Sequence, residues 1–166
     1  MPEIRTINVP WWSITSQKPF ETVVAAVEAA IGRPDMATFA QEIADSPTFE
    51  EMQEAVQRDV SEVGLMLFMR LDAGAVLGKS GVNSNPKRVC LIVGNPLIMQ
   101  SMARLVSDAV SYAAVTVLID QRPDGVHLSH DEMTSFLDSY GNVEALAIAR
   151  DLDAKVERML LESSYR

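Results

Sequence analysis

Cysteine occurs once, as Cys90 in "KRVCLIVGN", in a chain of 166 residues. One thiol permits no internal disulfide, and a thiolate metal centre would need more ligands. Histidine is nearly as scarce, at His127 and His130 only. Basic residues are outnumbered, 14 Lys and Arg against 23 Asp and Glu, giving a net charge of -9. Such a chain repels phosphate backbones, which argues against nucleic acid as a partner. No apolar run nears the roughly 20 residues that a membrane helix requires. The start, "MPEIRTINVPWW", lacks the basic and apolar regions of a secretory signal. A cytoplasmic protein with no membrane partner is the expectation.

What is present is a globular balance, 48% hydrophobic and 22% charged residues. The length suits a single domain over 1–166 with a sizeable core. Residues 3–16 read as a strand bent or interrupted at Pro10. Three helices follow. Phe20, Val23, Val24, Val27 and Ile31 recur at helical spacing with Gly32 as a stop, and Asp35 caps a segment running through Ala44. Thr48 and Glu51 form a capping box for a third helix with Phe49, Met52, Val56, Val60 and Val63 in one stripe. The stretch 41–62 holds seven acids against one Arg, the pattern of a solvated helix face or of a docking face for a basic partner.

From Leu65 the pattern changes. "LMLFMRLD" (65–72) has strand length, and "AGAVLGKSGVNSNPK" reads as a loop, one that lacks the spacing of a phosphate loop. "RVCLIVG" (88–94) is apolar on successive residues, which suggests a strand buried on both faces and Cys90 as a buried structural thiol. Gly94, Asn95 and Pro96 then open a helix with Ile98, Met102, Leu105, Val106 and Ala109 inward. Gly94 allows an unusual backbone angle, Asn95 caps the free amides, and Pro96 suits the first helical position. The same amides could hold an anion, but no basic residue stands beside the turn. Strands at 113–120 and 125–129 are joined by "QRPDG", a hairpin signal. A short helix closed by Gly141 and a final amphipathic helix over about 143–162 complete the chain. Strands and helices do not alternate regularly, so the fold class is α+β, a mostly antiparallel sheet with helices on one face and a helical N-terminal insertion.

Candidate chemistry is sparse. In a strand, His127 and His130 point to opposite faces, whereas a chain already turning into the helix at 130 would let them converge with Asp131 or Glu132; no metal-binding spacing is present, so no metal is expected. The carboxylates of "RDLDAK" (150–155) read as surface ion pairs. Of the adjacent Trp11 and Trp12, one faces inward and the other is available to a subunit or ligand.

"RVCLIVGNPLIMQSM", with "DAVSYAAVTVLID", "PDGVHLSHDEMTSFL" and "ARDLDAKVE" in that order, resembles the domain of unknown function 302 family of bacterial proteins, most closely over about 63–160. The resemblance implies a curved antiparallel sheet carrying helices, and homodimers, but carries over no catalytic residue. His130 stands where a Tyr is expected, and Ala114 where a Pro is usual. Three functions follow as expectations. One is a homodimer binding a small apolar or amphipathic ligand, conceivably haem-like. Its site would be formed by Phe68, Met66, Met99, Met102 and the 72–86 loop, with Gly94, Asn95, Pro96 and His130 at the rim. A second is an enzyme with His130 as general acid or base and Asn95 orienting an oxyanion. The third is a subunit that docks a partner through the acidic 41–62 helix.

Overall fold

The computed structural model describes residues 1–2, 4–81 and 87–165. Five strands form one open antiparallel sheet: β1 (Trp11–Ser16), β2 (Met66–Asp72), β3 (Arg88–Gly94), β4 (Ala114–Arg122) and β5 (Gly125–Asp131). Their order is β1-β5-β4-β3-β2, so β1 and β2 are the edges. The helices are α1 (Phe20–Ala30), α2 (Met36–Asp45), α3 (Phe49–Asp59), α4 (Ala73–Gly78), α5 (Pro96–Ala103), α6 (Met133–Asp138) and α7 (Val143–Tyr165). The fold is α+β, as the pattern of elements predicts.

Alternation sorts the strand side chains into two sets. Val89, Leu91 and Val93 of β3 pair with Ile119, Val117 and Val115 of β4, and all six are buried. Leu128 of β5 continues that face opposite Ile119. Onto it pack α1 through Val23 and Val27, and α7 through Ala149, Leu152, Val156 and Leu160. A smaller cluster joins Phe39 of α2 and Val56 of α3 to Met66 of β2.

Caps and strand limits explain the element boundaries. The Asp35 carboxylate accepts the Thr38 amide at 2.8 Å, and the Thr48 hydroxyl accepts the Glu51 amide at 3.2 Å. β1 begins only after Pro10, which has no amide to donate, although its carbonyl accepts from Glu132. Gly32 does more than end a helix. A Cβ there would lie 1.8 Å from the Asp59 carbonyl oxygen, so only glycine lets this segment bridge to β2 beside α3.

Three expectations need correction, and a fourth falls partly outside the described residues. Residues 73–78 form α4 rather than loop, because the Asp72 carboxylate accepts the Ala75 amide and caps a turn of helix. The loop expected over 72–86 lies outside the described residues from 82 to 86. Phe49, in the first turn of α3, precedes the part of the helix that meets the small cluster and is exposed. β3 is buried on one face only: Arg88, Cys90 and Ile92 are half-buried, because the main helical layer covers one side of the sheet. Cys90 is therefore a half-buried thiol, and burial pushes its pKa up, away from reactivity.

Candidate functional site

The glycine–asparagine–proline turn is occupied by its own fold. Asn95 accepts the Leu97 amide at 2.8 Å through Oδ1 and donates through Nδ2 to the Gly64 carbonyl, also at 2.8 Å. One side chain thus caps α5 and ties the turn to the chain just before β2. Gly94 has no left-handed backbone angle. Its need for glycine comes from crowding: a Cβ would lie 2.7 Å from Cε2 of Phe68 and 3.0 Å from the Ala113 carbonyl oxygen. Phe68 and Gly94 are therefore neighbours, while Met99 is half-buried beside the main core. Met66 and Met102 are wholly buried, in different clusters.

His130 does not join these residues. It lies on β5, its side chain on the helix-covered face opposite Trp12 and Val117, and it is fully buried rather than at a rim. The strand continues through Asp131, so position 130 keeps its inward parity. Nδ1 donates to the Asp131 carbonyl at 3.0 Å, and Nε2 is the ring nitrogen that faces α7. That nitrogen has no hydrogen-bond partner among the described residues, and the Glu157 carboxylate of α7 stands 4.0 Å away. Burial pushes the Glu157 carboxyl up, with Glu132 and Asp153 adding to the shift and His130 opposing it. His127 faces the other side, where Nε2 meets Asp124 at 2.8 Å. The two histidines do not converge, and no cluster that could hold a metal ion occurs among the described residues.

Asp153 also differs from expectation. It is buried, not a surface ion-pair partner, and accepts the amides of Met133 at 2.7 Å and Thr134 at 2.8 Å, as well as the Thr134 hydroxyl. Its place in the inward stripe with Ala149, Leu152 and Val156 was the sequence signal for this role. Asp151 does pair at the surface, with Lys155 at 2.9 Å.

The sheet face away from α1 and α7 holds what motif reading missed. Strand register places Leu71, Cys90, Leu118, Ser129 and Ser13 in one row across all five strands. Leu71 is exposed, Cys90 and Leu118 are half-buried, and Met69 and Ile92 form an adjacent apolar pair. The next row in the other direction is polar, with Arg88 opposite Asp120 and Asp120 opposite His127. Asp120 is buried between two guanidinium groups, with Arg88 Nε at 2.6 Å and Arg122 Nε at 2.9 Å. Burial alone would raise its carboxyl, but the hydrogen bonds and charges of the two arginines outweigh this and hold it below the ordinary range. Arg122 lies 6.0 Å from the ring of Trp11, which is the outward member of the tryptophan pair.

The acidic stretch 41–62 is not one helix. It comprises the end of α2, a break at Ser46–Thr48 and α3. Between the two helices runs an open groove of about 730 Å³, lined by Glu42, Asp45, Glu51 and Glu54 with Arg58.

The model of a family described as "Domain of unknown function DUF302" matches residues 41–162. The chain belongs to the DUF302 family. A crystal structure of an uncharacterized conserved DUF302 protein from Bacillus stearothermophilus has the same fold, with a TM-score of 0.64 at 11% identity, over 93% of this chain and 97% of that one. Among curated proteins none matches the sequence. DUF302 membership thus fixes fold and kinship without an activity, and the residues must be read for themselves.

Proposed function

We propose that this DUF302 chain is a non-catalytic binding protein acting as a homodimer, in which the open sheet face of one copy meets the same face of a second. A small apolar or amphipathic molecule would be held between the two sheets. The observation that carries this reading is the row Leu71, Cys90 and Leu118, with Met69 and Ile92 beside it, exposed or half-buried on a sheet whose other face is filled. Exposed contiguous apolar surface of this kind marks interaction sites. A net charge of -9 repels self-association in general, but on this face Arg88 and Arg122 offset the carboxylates of Asp120 and Asp124, so the apolar row can meet its copy without a local excess of negative charge. The expected site between sheet and helices would need space where Met66, Met102 and His130 are already close-packed. The proposal includes the bacterial, cytoplasmic setting expected from the sequence. A native mass spectrum of freshly purified protein tests it. A mass of twice 18.2 kDa, with or without a retained small molecule, supports the reading, and a monomer at micromolar concentration overturns it.

A second reading has one observation in its favour. The groove between α2 and α3 carries four carboxylates and one guanidinium, which suits a basic peptide segment better than a small apolar ligand. Charge reversal at Glu51 and Glu54 should then abolish co-purification of such a partner, while leaving the oligomeric state unchanged.

A further inference from the structure

The open face is amphipathic, and its two halves adjoin. Arg88 and Cys90 are alternate residues of β3, Leu118 and Asp120 alternate residues of β4, so the apolar row and the charged row are neighbours on one surface. Each arginine meets Asp120 through Nε. Among the described residues, no other hydrogen bond or ion pair engages either guanidinium, which leaves the paired Nη donors of both available. Both side chains are partly open to solvent, at 40% for Arg88 and 35% for Arg122, whereas Asp120 beneath them is 5% exposed. One buried carboxylate fixes two guanidinium groups at their inner edges and turns the outer edges outward. A planar fork presented in this way matches an oxyanion with two or more oxygens. The two guanidinium charges exceed the one carboxylate that they share, while Asp124 acts on Arg122 from the end of the strand.

We infer that Arg88 and Arg122, held by Asp120, bind the anionic group, carboxylate or phosphate, of a ligand whose apolar part lies along Leu118, Cys90 and Leu71. This deepens the reading of the open face as a ligand surface and rests on it for the apolar part. Asp120 is a positioning residue here, since it touches the arginines and not the ligand. Trp11, near the Arg122 guanidinium, gives the site an optical reporter.

The test compares octanoate, octyl phosphate and octanol on the full-length protein by calorimetry and by tryptophan fluorescence. The anionic probes should bind at least about tenfold more tightly than octanol, because each charge-assisted pair adds that order of affinity. Whichever of octanoate and octyl phosphate binds better identifies the anion class. Arg88→Gln combined with Arg122→Gln should remove the advantage and leave octanol binding unchanged. Since those changes strand Asp120, Arg88→Lys with Arg122→Lys supplies a variant that keeps cations beside it. The lysine variant should retain the wild-type melting temperature and still lose most of the advantage, because an ammonium has no fork. Equal binding of octanol and octanoate overturns the inference and leaves the ligand reading standing. Binding of none of the three overturns the inference, and the homodimer reading is then decided separately by the native mass.

Discussion

Leu91 and Ile92 are neighbours on β3 with different fates. Leu91 is wholly buried against the helical layer, and Ile92 is half-buried on the face that the layer leaves open. The same contrast runs through the sheet. One face is a closed core of aliphatic side chains with His130 as its only buried histidine. The other pairs an apolar row with a charged one. A core face has one task, to exclude water, and Asp153 in it is satisfied locally by α6, whereas His130 Nε2 is the exception. The open face carries guanidinium donors that the fold itself does not use up. That difference is why function is assigned to the open face rather than to the methionine-lined interior.

The contrast is broken most forcefully by truncating its two sides in turn. Leu91→Ala should destabilise by about 3 kcal/mol, as a buried leucine leaving a cavity does. Ile92→Ala should cost less than about 1 kcal/mol in the monomer, since water already reaches that site. Urea unfolding of both variants checks the pair, and equal losses would mean that the open face is covered within the chain. Asp153→Ala should follow at about 2 kcal/mol, from the loss of the α6 cap and a buried acceptor set.

Acid titration sharpens the electrostatic half. Asp120 has a folded-state carboxyl held below its unfolded value, so its contribution to stability is present above the ordinary carboxylate range and is lost as pH falls through the folded value. Asp120→Asn should flatten that acid limb and lower neutral-pH stability by about 1 kcal/mol, after discounting for the partly exposed arginines. Glu157 has the opposite sign. Its raised carboxyl means the folded state binds the proton more tightly, so stability falls as pH rises from the unfolded value to the folded one. Glu157→Gln should remove this fall and raise stability at neutral pH by about 0.5 kcal/mol, the smallest of these effects.

Much of this fold is legible in the sequence because local signals and tertiary structure agree. The caps at Asp35, Thr48 and Asn95 form as their residue types dictate, and the hairpin closes at Pro123 and Asp124. The open face was hidden for a definite reason. "RVCLIVG" is apolar at most successive positions, and periodicity alone does not reveal whether helices cover one side or two. Arg122 falls in a segment that reads as a turn, whereas it is the last residue of β4 and shares a face with Asp120. Arg88 lies 32 residues from Asp120 in the chain, so only strand register brings them opposite each other. Asp153 could have been found, because it interrupts an otherwise apolar stripe on α7. His130 was misplaced by assuming that the chain turns before position 130, whereas β5 runs to Asp131.

Sedimentation of two surface variants tests the central claim most directly. Leu118→Arg places a charge at the middle of the open face, and Val143→Arg places one at the exposed start of α7. With folding of each confirmed by circular dichroism, the wild type and Val143→Arg should sediment as dimers and Leu118→Arg as a monomer. A Leu118→Arg variant that remains fully dimeric would contradict the assignment of the open sheet face as the working surface.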